Sequence, residues 1–349
     1  MPAHVMELPR MVAAGSDIIS DTGRLLGDLE IGRSTLVLSG PRVKEAVGNV
    51  LSTALKNAGY SVEWTTIESA SFVEAERAAA TAKRHESNFM IGVGGGKSID
   101  VAKLASFNSK IPFVSIPTSA SHDGISSPFA SVKGMDRPYS IVTKPPIAIV
   151  ADTSLIAKAP FHLLVSGCGD LISKITAVKD WELASKKTGE YYGRYSASLA
   201  LLSATLIMED AGLIGSKNEE SVRVVVEALI SSGVAAGIAG SSRPCSGSEH
   251  LFGHALDIVA PGKGMHGEKC GIGTILMAKL HGIDFEKIKN ALETIGAPTR
   301  AADIGLTEKE VIDALLLART IRKDRYTILE EAELTESTAR KLAHDTGVI

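Results

Sequence analysis

Residues 88–117 of the chain, NFMIGVGGGKSIDVAKLASFNSKIPFVSIP, decide its fold class because they contain one complete strand–helix–strand unit. The apolar run at 88–93 predicts a buried strand, and the glycines after it predict a tight turn. A helix is expected from about Ser98 to Phe107, and a second apolar strand follows at 111–117. Strands that alternate with helices of this length are typical of βαβ units and therefore of a parallel sheet.

The same alternation extends to both sides of this unit. Ahead of it, two more strand–helix pairs are predicted, at 34–40, 41–59, 61–67 and 72–85. Behind it, one further strand is expected at 145–152. The polar stretch at 118–140 is too long for a simple connector, which favours a functional loop or a hairpin.

After about residue 155 the strand pattern stops. The apolar periodicity that remains is helical throughout, at 161–184, 194–211, 218–238, 246–257, 270–281, 284–296, 307–318 and 335–345. We therefore predict an N-terminal α/β domain with a parallel, Rossmann-like sheet at residues 1–155. An all-α C-terminal domain is predicted at residues 156–349.

The composition is that of a globular protein and argues against several classes of function. The 349 residues are 44% hydrophobic and 22% charged, and a net charge of −3 gives no support for binding nucleic acid or anionic membranes. No signal-peptide pattern is seen at MPAHVMELPRM, and we expect no integral membrane segment because the apolar runs are too short. Cys168, Cys245 and Cys270 form no CxxC pair, which is typical of the reducing cytosol. We expect them to be small buried thiols rather than metal ligands.

The glycines at 94–96 end the predicted strand and are followed by Lys97 and Ser98. In this setting glycines let the backbone approach a phosphate, and the helix N-terminus presents N–H groups and a positive dipole end to an anion. The spacing matches neither the P-loop, because Ile91 stands where glycine is needed, nor GxGxxG, because Lys97 takes the last place. A tight turn without a ligand is the alternative. Asp100 either complements the helix dipole or receives a cofactor hydroxyl.

Three of the nine histidines, His250, His254 and His266, fall within seventeen residues. His250 and His254 are four residues apart and therefore share one face of a helix, and His266 follows a Pro-Gly-Lys-Gly loop. Neutral imidazole is the commonest metal ligand, and a catalytic zinc site takes three protein ligands and keeps one position open. The cluster therefore predicts a metal site, with ordinary core or surface histidines as the alternative.

A carboxylate ligand is expected as well, since histidines alone rarely complete a catalytic site. Asp170 follows a Gly-Cys-Gly turn at the predicted start of an apolar helix, where the alternative is an N-terminal helix cap. Asp123 is equally able to hold a turn. The zinc-protease motif HExxH is excluded because Leu251 follows His250. Glu249 precedes that histidine and is expected to point about 100° away from it on a helix.

Several motifs, in this order and at this spacing, resemble one family. They are GGGKSIDVAK, IPTSASHDGISSPFASV, GCGDLISKITAVKD, and SGSEHLFGH followed by HGEKCGIGT. From about residue 1 to 345 the chain resembles the archaeal sn-glycerol-1-phosphate dehydrogenases, within the superfamily of iron-type alcohol dehydrogenases and dehydroquinate synthase. The resemblance implies a dehydroquinate synthase-like fold and a cytoplasmic homo-oligomer. It also implies reduction of dihydroxyacetone phosphate to sn-glycerol 1-phosphate by NADH or NADPH, a step in making archaeal ether phospholipids.

The resemblance also implies the residues of the site. One zinc ion per subunit would be held by Asp170, His250 and His266. The substrate would contact Asp123, Asp170 and His254. The cofactor-binding residues would be Gly94, Gly95, Gly96, Lys97, Ser98, Asp100, Thr118, Ser119, Ser121 and Ser127. Because His254 is one helical turn from His250, we take it as the hypothetical proton donor or relay.

The sequence leaves two features undecided: which residue binds the substrate phosphate, and whether NADH or NADPH is preferred. The substrate phosphate needs cationic or N–H partners, and the candidates in or near the motif loops are Lys133, Arg137, Lys174, Arg243, Lys263 and Lys269. The loop after the first strand carries no acidic residue to repel a 2′-phosphate, and its Arg42 is able to accept one. We therefore expect both NADH and NADPH to be used.

Three other functions remain as alternatives at this point. The first is a glycerol or other polyol dehydrogenase of the same superfamily, which an assay comparing dihydroxyacetone with its phosphate would separate. The second is a lyase resembling dehydroquinate synthase, which should consume no net NADH. The third is a metal- or nucleotide-binding regulatory protein, which would bind NADH without turnover.

Overall fold

The computed structural model describes residues 4–133 and 140–349, so Arg137, a candidate for the substrate phosphate, lies outside the described residues. Contacts within the chain divide it into two compact units, Met1–Pro160 and Phe161–Ile349. The boundary predicted at residue 155 falls inside a short helix, Thr153–Ala157, of the first unit.

The first unit is an α/β unit built on a parallel sheet. Its strands are β1 (Met11–Gly15), β2 (Ser34–Ser39), β3 (Ser61–Thr66), β4 (Phe89–Gly94), β5 (Phe113–Pro117), β6 (Phe129–Ser131), β7 (Ser140–Val142) and β8 (Ala148–Asp152). Its helices are α1 (Thr22–Gly27), α2 (Pro41–Asn57), α3 (Phe72–Arg84), α4 (Gly96–Ser109) and α5 (Thr153–Ala157). Six strands form one sheet in the order β1-β8-β5-β4-β2-β3, and all their pairings are parallel. The predicted fold class is confirmed for this unit.

The β4–α4–β5 segment shows why the opening sequence is so apolar. All six residues of β4 are buried, and the strand pairs with β2 on one side and β5 on the other. A strand in the middle of a parallel sheet has both faces covered, so its sequence is a continuous apolar run rather than an alternating one. The following helix α4 is buried along most of its length, and it begins at Gly96, earlier than the predicted Ser98.

Two features of this unit lie outside the strand–helix alternation. Strand β1 was not predicted, because MVAAG is short and half-buried, and its pairing partner β8 is far away in the sequence. The polar stretch after β5 contains the antiparallel pair β6–β7, as the hairpin prediction had it.

The second unit, residues 161–349, is described completely and contains helices but no strand, which confirms the all-α prediction. The helices are α6 (Phe161–Ile172), α7 (Lys174–Thr188), α8 (Arg194–Glu209), α9 (Ala211–Gly215), α10 (Glu219–Ala239), α11 (Ser248–Val259), α12 (His266–Leu280), α13 (Phe285–Ile295), α14 (Glu308–Ile321) and α15 (Glu336–Asp345). The single helix predicted at 161–184 is two helices, α6 and α7, separated at Ser173.

Two helical segments of the second unit correct the expectation that no apolar run reaches membrane length. Phe161–Thr188 and Glu219–Ala239 are long and apolar enough to span a membrane by length and composition. However, 78% and 67% of their most apolar windows are buried inside the protein. These segments are therefore core helices, and their hydrophobicity is explained by packing against neighbouring helices.

Close helix packing, not a turn, explains the Gly-Cys-Gly sequence at 167–169. These residues lie inside α6, so the prediction that Asp170 starts a helix is wrong, since it lies near the end of one. A Cβ on Gly169 would be 2.2 Å from the carbonyl oxygen of Gly267, and a Cβ on Gly267 would be 1.7 Å from that of Ser166. The missing side chains therefore let α6 and the first turn of α12 approach closely, which brings Asp170 towards that turn.

The start of α12 was also predicted wrongly. The helix begins at His266 rather than at 270, because the side chain of Glu268 accepts a hydrogen bond from the Met265 N–H at 2.7 Å and caps the first turn. His266 and Cys270 therefore lie one turn apart on the same face of a helix.

Replacing Gly267 with alanine is expected to lower the free energy of unfolding by about 1–3 kcal/mol or more, the usual cost of overpacking. The new Cβ would meet the carbonyl of Ser166, which cannot rotate away as a side chain would. Gly271→Ala in the same helix is the control, because its Cβ would have its nearest neighbour at 3.5 Å, an ordinary contact. Chemical denaturation of both variants measures the difference, and equal stability would contradict the close-packing explanation.

Candidate functional site

Three helices of the second unit bring the three predicted metal ligands together. Asp170 lies on α6, His250 on α11, and His266 at the start of α12. Nε2 of His250 is 3.4 Å from Oδ1 of Asp170, and Nε2 of His266 is 3.9 Å from the same oxygen. The centroids of the two imidazole rings are 5.1 Å apart. The three side chains therefore face one common point.

The chemistry and spacing of these donors fit a zinc ion. Ligand atoms about 2.0–2.1 Å from a tetrahedral zinc lie roughly 3.3–3.4 Å from one another. The two observed separations from Asp170 Oδ1, 3.4 and 3.9 Å, are close to that value. Two imidazoles and one carboxylate form a common catalytic zinc set with an open position, although the same donors also bind iron or nickel.

Cys270 adds a further donor atom at this point, although we expected it to be a small buried thiol rather than a metal ligand. Its thiol is buried, and its Sγ is 3.8 Å from Nε2 of His266. The ligand atoms of His250, His266 and Cys270 all lie within 4.8 Å of one another. Burial raises the pKa of the Cys270 thiol, which favours its neutral form. The structure thus offers two overlapping sets of three metal ligands, which differ in whether Asp170 or Cys270 joins the two histidines. We favour the set with Asp170 because its carboxylate is already an anion.

Asp170 is fully buried and has a buried cation beside it. Its side chain is 1% exposed and that of Lys174 is 0% exposed. Nζ of Lys174 donates to Oδ1 of Asp170 at 2.7 Å and to the carbonyl oxygen of Cys245 at 3.2 Å. Burial alone would raise the pKa of Asp170, but the Lys174 ammonium and the two imidazoles hold it well below its ordinary value. The carboxylate is therefore ionised and suited to bind a cation.

Glu249 contacts His250, contrary to the prediction that it points away. Its Oε1 accepts a hydrogen bond from Nδ1 of His250 at 2.7 Å, and the backbone N–H of Gly247 donates to the same oxygen at 2.7 Å. The hydroxyl of Thr176 donates to Oε2, also at 2.7 Å. Burial alone would raise the pKa of Glu249, but these hydrogen bonds lower it. The flexible glutamate folds back at the helix start, and no periodicity in the sequence signals that.

His254 lies beside the ligands, with its ring centroid 6.2 Å from that of His266. The side chain is 26% exposed, and its Nδ1 is 3.8 Å from Oδ2 of Asp257. Lys269 donates to the other oxygen of that carboxylate. With Nδ1 facing Asp257, Nε2 is the ring nitrogen left to meet another group.

In the first unit, the glycine turn joins β4 to α4. Gly94 has a φ of +141°, a conformation that favours glycine. Gly95 is the N-cap of α4 and has no side chain with which to satisfy the first N–H groups of the helix. A Cβ on Gly96 would be 2.0 Å from Nε2 of His122, so this glycine makes room for that imidazole. The turn thus presents backbone N–H groups and a positive helix end to an anion.

Thr118 and Ser119 lie against this turn, whereas Lys97 extends away from it. The N–H of Thr118 donates to the carbonyl oxygen of Gly94 at 3.0 Å. The hydroxyl of Ser119 is 3.1 Å from the position that a Cβ on Gly95 would take, and the hydroxyl of Ser98 is 2.8 Å from that of a Cβ on Gly94. Nζ of Lys97 donates to the carbonyl oxygen of Glu68, in the loop between β3 and α3, at 2.8 Å. The structure therefore brings most of the predicted cofactor residues together around the turn.

Asp100 is engaged with the protein rather than open to a ligand. Its Oδ2 accepts a hydrogen bond from the N–H of Ser131 at 3.1 Å, and its Oδ1 is 3.4 Å from Nζ of the buried Lys103. The same ammonium donates to the carbonyl oxygens of Gly124 and Phe129 at 2.7 Å. This pair ties the loop after β5 to helix α4. A contact between Asp100 and a cofactor hydroxyl stays a prediction.

The loop after β5 holds the remaining predicted residues of this unit. The carbonyl oxygen of Asp123 accepts hydrogen bonds at 3.1 Å from the N–H groups of Ser126 and Ser127, so Asp123 does hold a turn. Ser127 is buried and Ser121 is half-buried. Contacts of these residues with substrate or cofactor stay predictions.

The candidates for the substrate phosphate are mostly occupied by protein groups. Lys174 is buried against Asp170, and three others are paired with carboxylates: Arg243 with Glu190, Lys263 with Glu310, and Lys269 with Asp257. Lys133 is exposed in the first unit. The geometry therefore singles out no phosphate ligand among them.

The chain is similar to several known proteins. A family profile described as iron-containing alcohol dehydrogenase matches residues 13–160. The chain is 51% identical over 349 residues to a glycerol-1-phosphate dehydrogenase (NAD(P)+) of Nitrosopumilus maritimus, covering 100% of this chain and 98% of that one. A protein of the same name from Thermococcus sibiricus is 48% identical over 346 residues, 99% of each chain. The crystal structure of glycerol dehydrogenase from Schizosaccharomyces pombe matches with a TM-score of 0.82 at 20% identity, covering 99% of this chain and 91% of that one, which shows a shared fold.

Proposed function

We propose an activity from one premise: the chain belongs to the family of NAD(P)+-dependent glycerol-1-phosphate dehydrogenases. The proposed reaction is the zinc-dependent reduction of dihydroxyacetone phosphate to sn-glycerol 1-phosphate by NADH or NADPH, which makes the backbone of archaeal ether phospholipids. The structural observation that supports it best is the meeting of Asp170, His250 and His266 beside His254. A cation site next to an imidazole that is able to transfer a proton suits carbonyl reduction.

We assign the metal-binding, cofactor-binding and substrate-binding roles to separate groups of residues. When bound, NAD(P)H would supply the hydride and zinc would supply Lewis acidity for carbonyl reduction. Asp170, His250 and His266 would hold the zinc, with Asp170 kept ionised by Lys174. The glycine turn at 94–96 and the residues against it would bind the dinucleotide phosphates at the start of α4. Asp123 is proposed to contact the substrate.

Reduction leaves an oxygen at C2 that must gain a proton, and we assign that proton to Nε2 of His254. Nδ1 of the same ring faces Asp257, so Nε2 is the nitrogen left to pass a proton to the substrate oxygen. His254→Ala is expected to lower kcat by about 100-fold, the lower end of the usual range for a general acid. The pH profile of kcat should lose one limb. An unchanged kcat and pH profile would remove His254 from the mechanism.

We propose that the enzyme uses both NADH and NADPH as reductants. Arg42 is exposed in the first turn of α2, directly after β2, where it is able to accept the 2′-phosphate of NADPH. A specificity constant for NADH more than about 1,000-fold above that for NADPH, roughly 4 kcal/mol, would contradict this. One zinc ion per subunit, a homo-oligomeric assembly and a cytoplasmic location belong to the same proposal.

The deciding experiment is reduction of dihydroxyacetone phosphate by NADH, with chiral analysis of the product and metal content measured on the same sample. We expect sn-glycerol 1-phosphate as product and one zinc ion per chain. Dihydroxyacetone without phosphate is the matched control and should react far more slowly. A preference for dihydroxyacetone would indicate a polyol dehydrogenase, and stoichiometric NADH binding without turnover would indicate a regulatory protein.

A further inference from the structure

We propose that Glu249 is a positioning residue of the metal site, which holds the imidazole of His250 so that its Nε2 faces the cation. This role rests on the proposed metal site. The contact places Oε1 of Glu249 2.7 Å from Nδ1 of His250, while Nε2 of the same ring is 3.4 Å from Asp170 Oδ1. The two nitrogens of this ring therefore have separate partners on opposite sides.

The carboxylate decides which ring nitrogen carries the hydrogen. An ionised carboxylate only accepts hydrogen bonds, so Nδ1 must donate to it. A neutral imidazole with its hydrogen on Nδ1 presents a lone pair at Nε2, which is the form that binds a metal. The opposite tautomer would place the lone pair of Nδ1 against the anion and leave Nε2 unable to bind. Glu249 thus selects the binding-competent form of His250.

The carboxylate is itself held in place. The Gly247 N–H and the Thr176 hydroxyl both donate to it at 2.7 Å, from the loop before α11 and from α7. A Cβ on Gly247 would lie 3.0 Å from Oε2 of Glu249, so glycine at this position leaves room for the carboxylate. Because the side chain of Glu249 is completely buried, water does not compete for these bonds. The support behind His250 is therefore rigid.

The two histidine ligands differ in burial. The side chain of His250 is 7% exposed and lies against a buried carboxylate, whereas that of His266 is 41% exposed at the start of α12. Outer partners of metal-binding histidines typically contribute about 10- to 100-fold to metal affinity. We therefore expect the contribution of Glu249 to appear in the affinity for zinc and not only in turnover.

The test is the zinc dissociation constant, measured by competition with a chromophoric chelator on the full chain. Glu249→Ala is expected to bind zinc about 10- to 100-fold more weakly than the wild type. Glu249→Gln keeps an oxygen that accepts from Nδ1 but loses the charge, so its loss should be smaller. Thr176→Val is the matched control, because it removes one hydrogen bond from the same carboxylate without touching His250. Its affinity should stay within about 3-fold of the wild type, roughly 0.7 kcal/mol.

A second readout separates positioning from general damage to the fold. The visible spectrum of the cobalt(II)-loaded protein reports the ligand geometry, and it should change in Glu249→Ala but not in Thr176→Val. Wild-type zinc affinity in Glu249→Ala would overturn the positioning role and leave the proposed function intact. If Glu249→Ala does not fold, the test uses Glu249→Gln instead. Zinc binding by Glu249→Gln as tight as that by Thr176→Val would then overturn the positioning role. A wild-type chain that binds no zinc would refute the metal site and this role together.

Discussion

Asp170→Ala, His250→Ala and His266→Ala are each expected to lose the metal and to lower kcat/KM for dihydroxyacetone phosphate by roughly 1,000-fold or more. The reason is that a polarising cation contributes several kcal/mol to the stability of the transition state. Each substitution removes one of the donor atoms that face the same point. Elemental analysis of the purified variants, together with steady-state kinetics, measures both effects.

Two further variants make this prediction specific. Cys270→Ser should keep its zinc if Asp170 is the third ligand, although Cys270 lies within reach of both histidines. His281→Ala is the control, because this histidine contacts Asp180 at 2.9 Å instead of the metal ligands. Full metal content in Asp170→Ala, combined with an empty site in Cys270→Ser, would assign the third position to the thiol.

Lys174→Met is expected to lower the free energy of unfolding by about 3–5 kcal/mol at neutral pH, in protein freed of metal by chelation. Methionine lacks the charge, so the buried carboxylate of Asp170 would lose the ammonium that lies 2.7 Å away. Burial raises the pKa of Asp170 and the Lys174 ammonium lowers it, with a net pKa well below the ordinary value. A lowered pKa contributes stability above the ordinary carboxyl range, and this contribution is lost as the pH falls towards the lowered value. The difference between variant and wild type should therefore shrink in acid.

The chain offers a matched control for this prediction. Lys186 pairs with Glu182 at the same distance of 2.7 Å and the same four-residue spacing in the sequence, but its side chain is 68% exposed. Lys186→Met should cost less than about 1 kcal/mol, because water screens an exposed pair and solvates the remaining charge. Chemical denaturation at pH 7 and pH 3 compares the two variants. Equal losses at pH 7 would show that burial of the Asp170 pair does not matter.

Much of the fold was predictable because its signals are local. The strands β2, β4 and β5 are short, largely apolar and buried runs, and the helices after residue 160 keep a clear helical period. Strand β1 was missed because its five residues become a strand only by pairing with β8. The Gly-Cys-Gly segment was misinterpreted for a similar reason. Glycines in a turn and glycines in a close helix contact look alike until the neighbouring helix is known.

A parallel sheet followed by helices, a glycine turn suited to an anion, and a set of histidines and aspartates suited to a cation are predictable from the residues alone. These properties follow from periodicity and from side-chain chemistry, which do not depend on distant residues. The groups behind the ligands are known only from the folded chain: Lys174 against Asp170, and Glu249 against His250. In a buried site the direction of a flexible side chain is decided by the donors that surround it. Those donors come from helices that the chain brings together only when it folds.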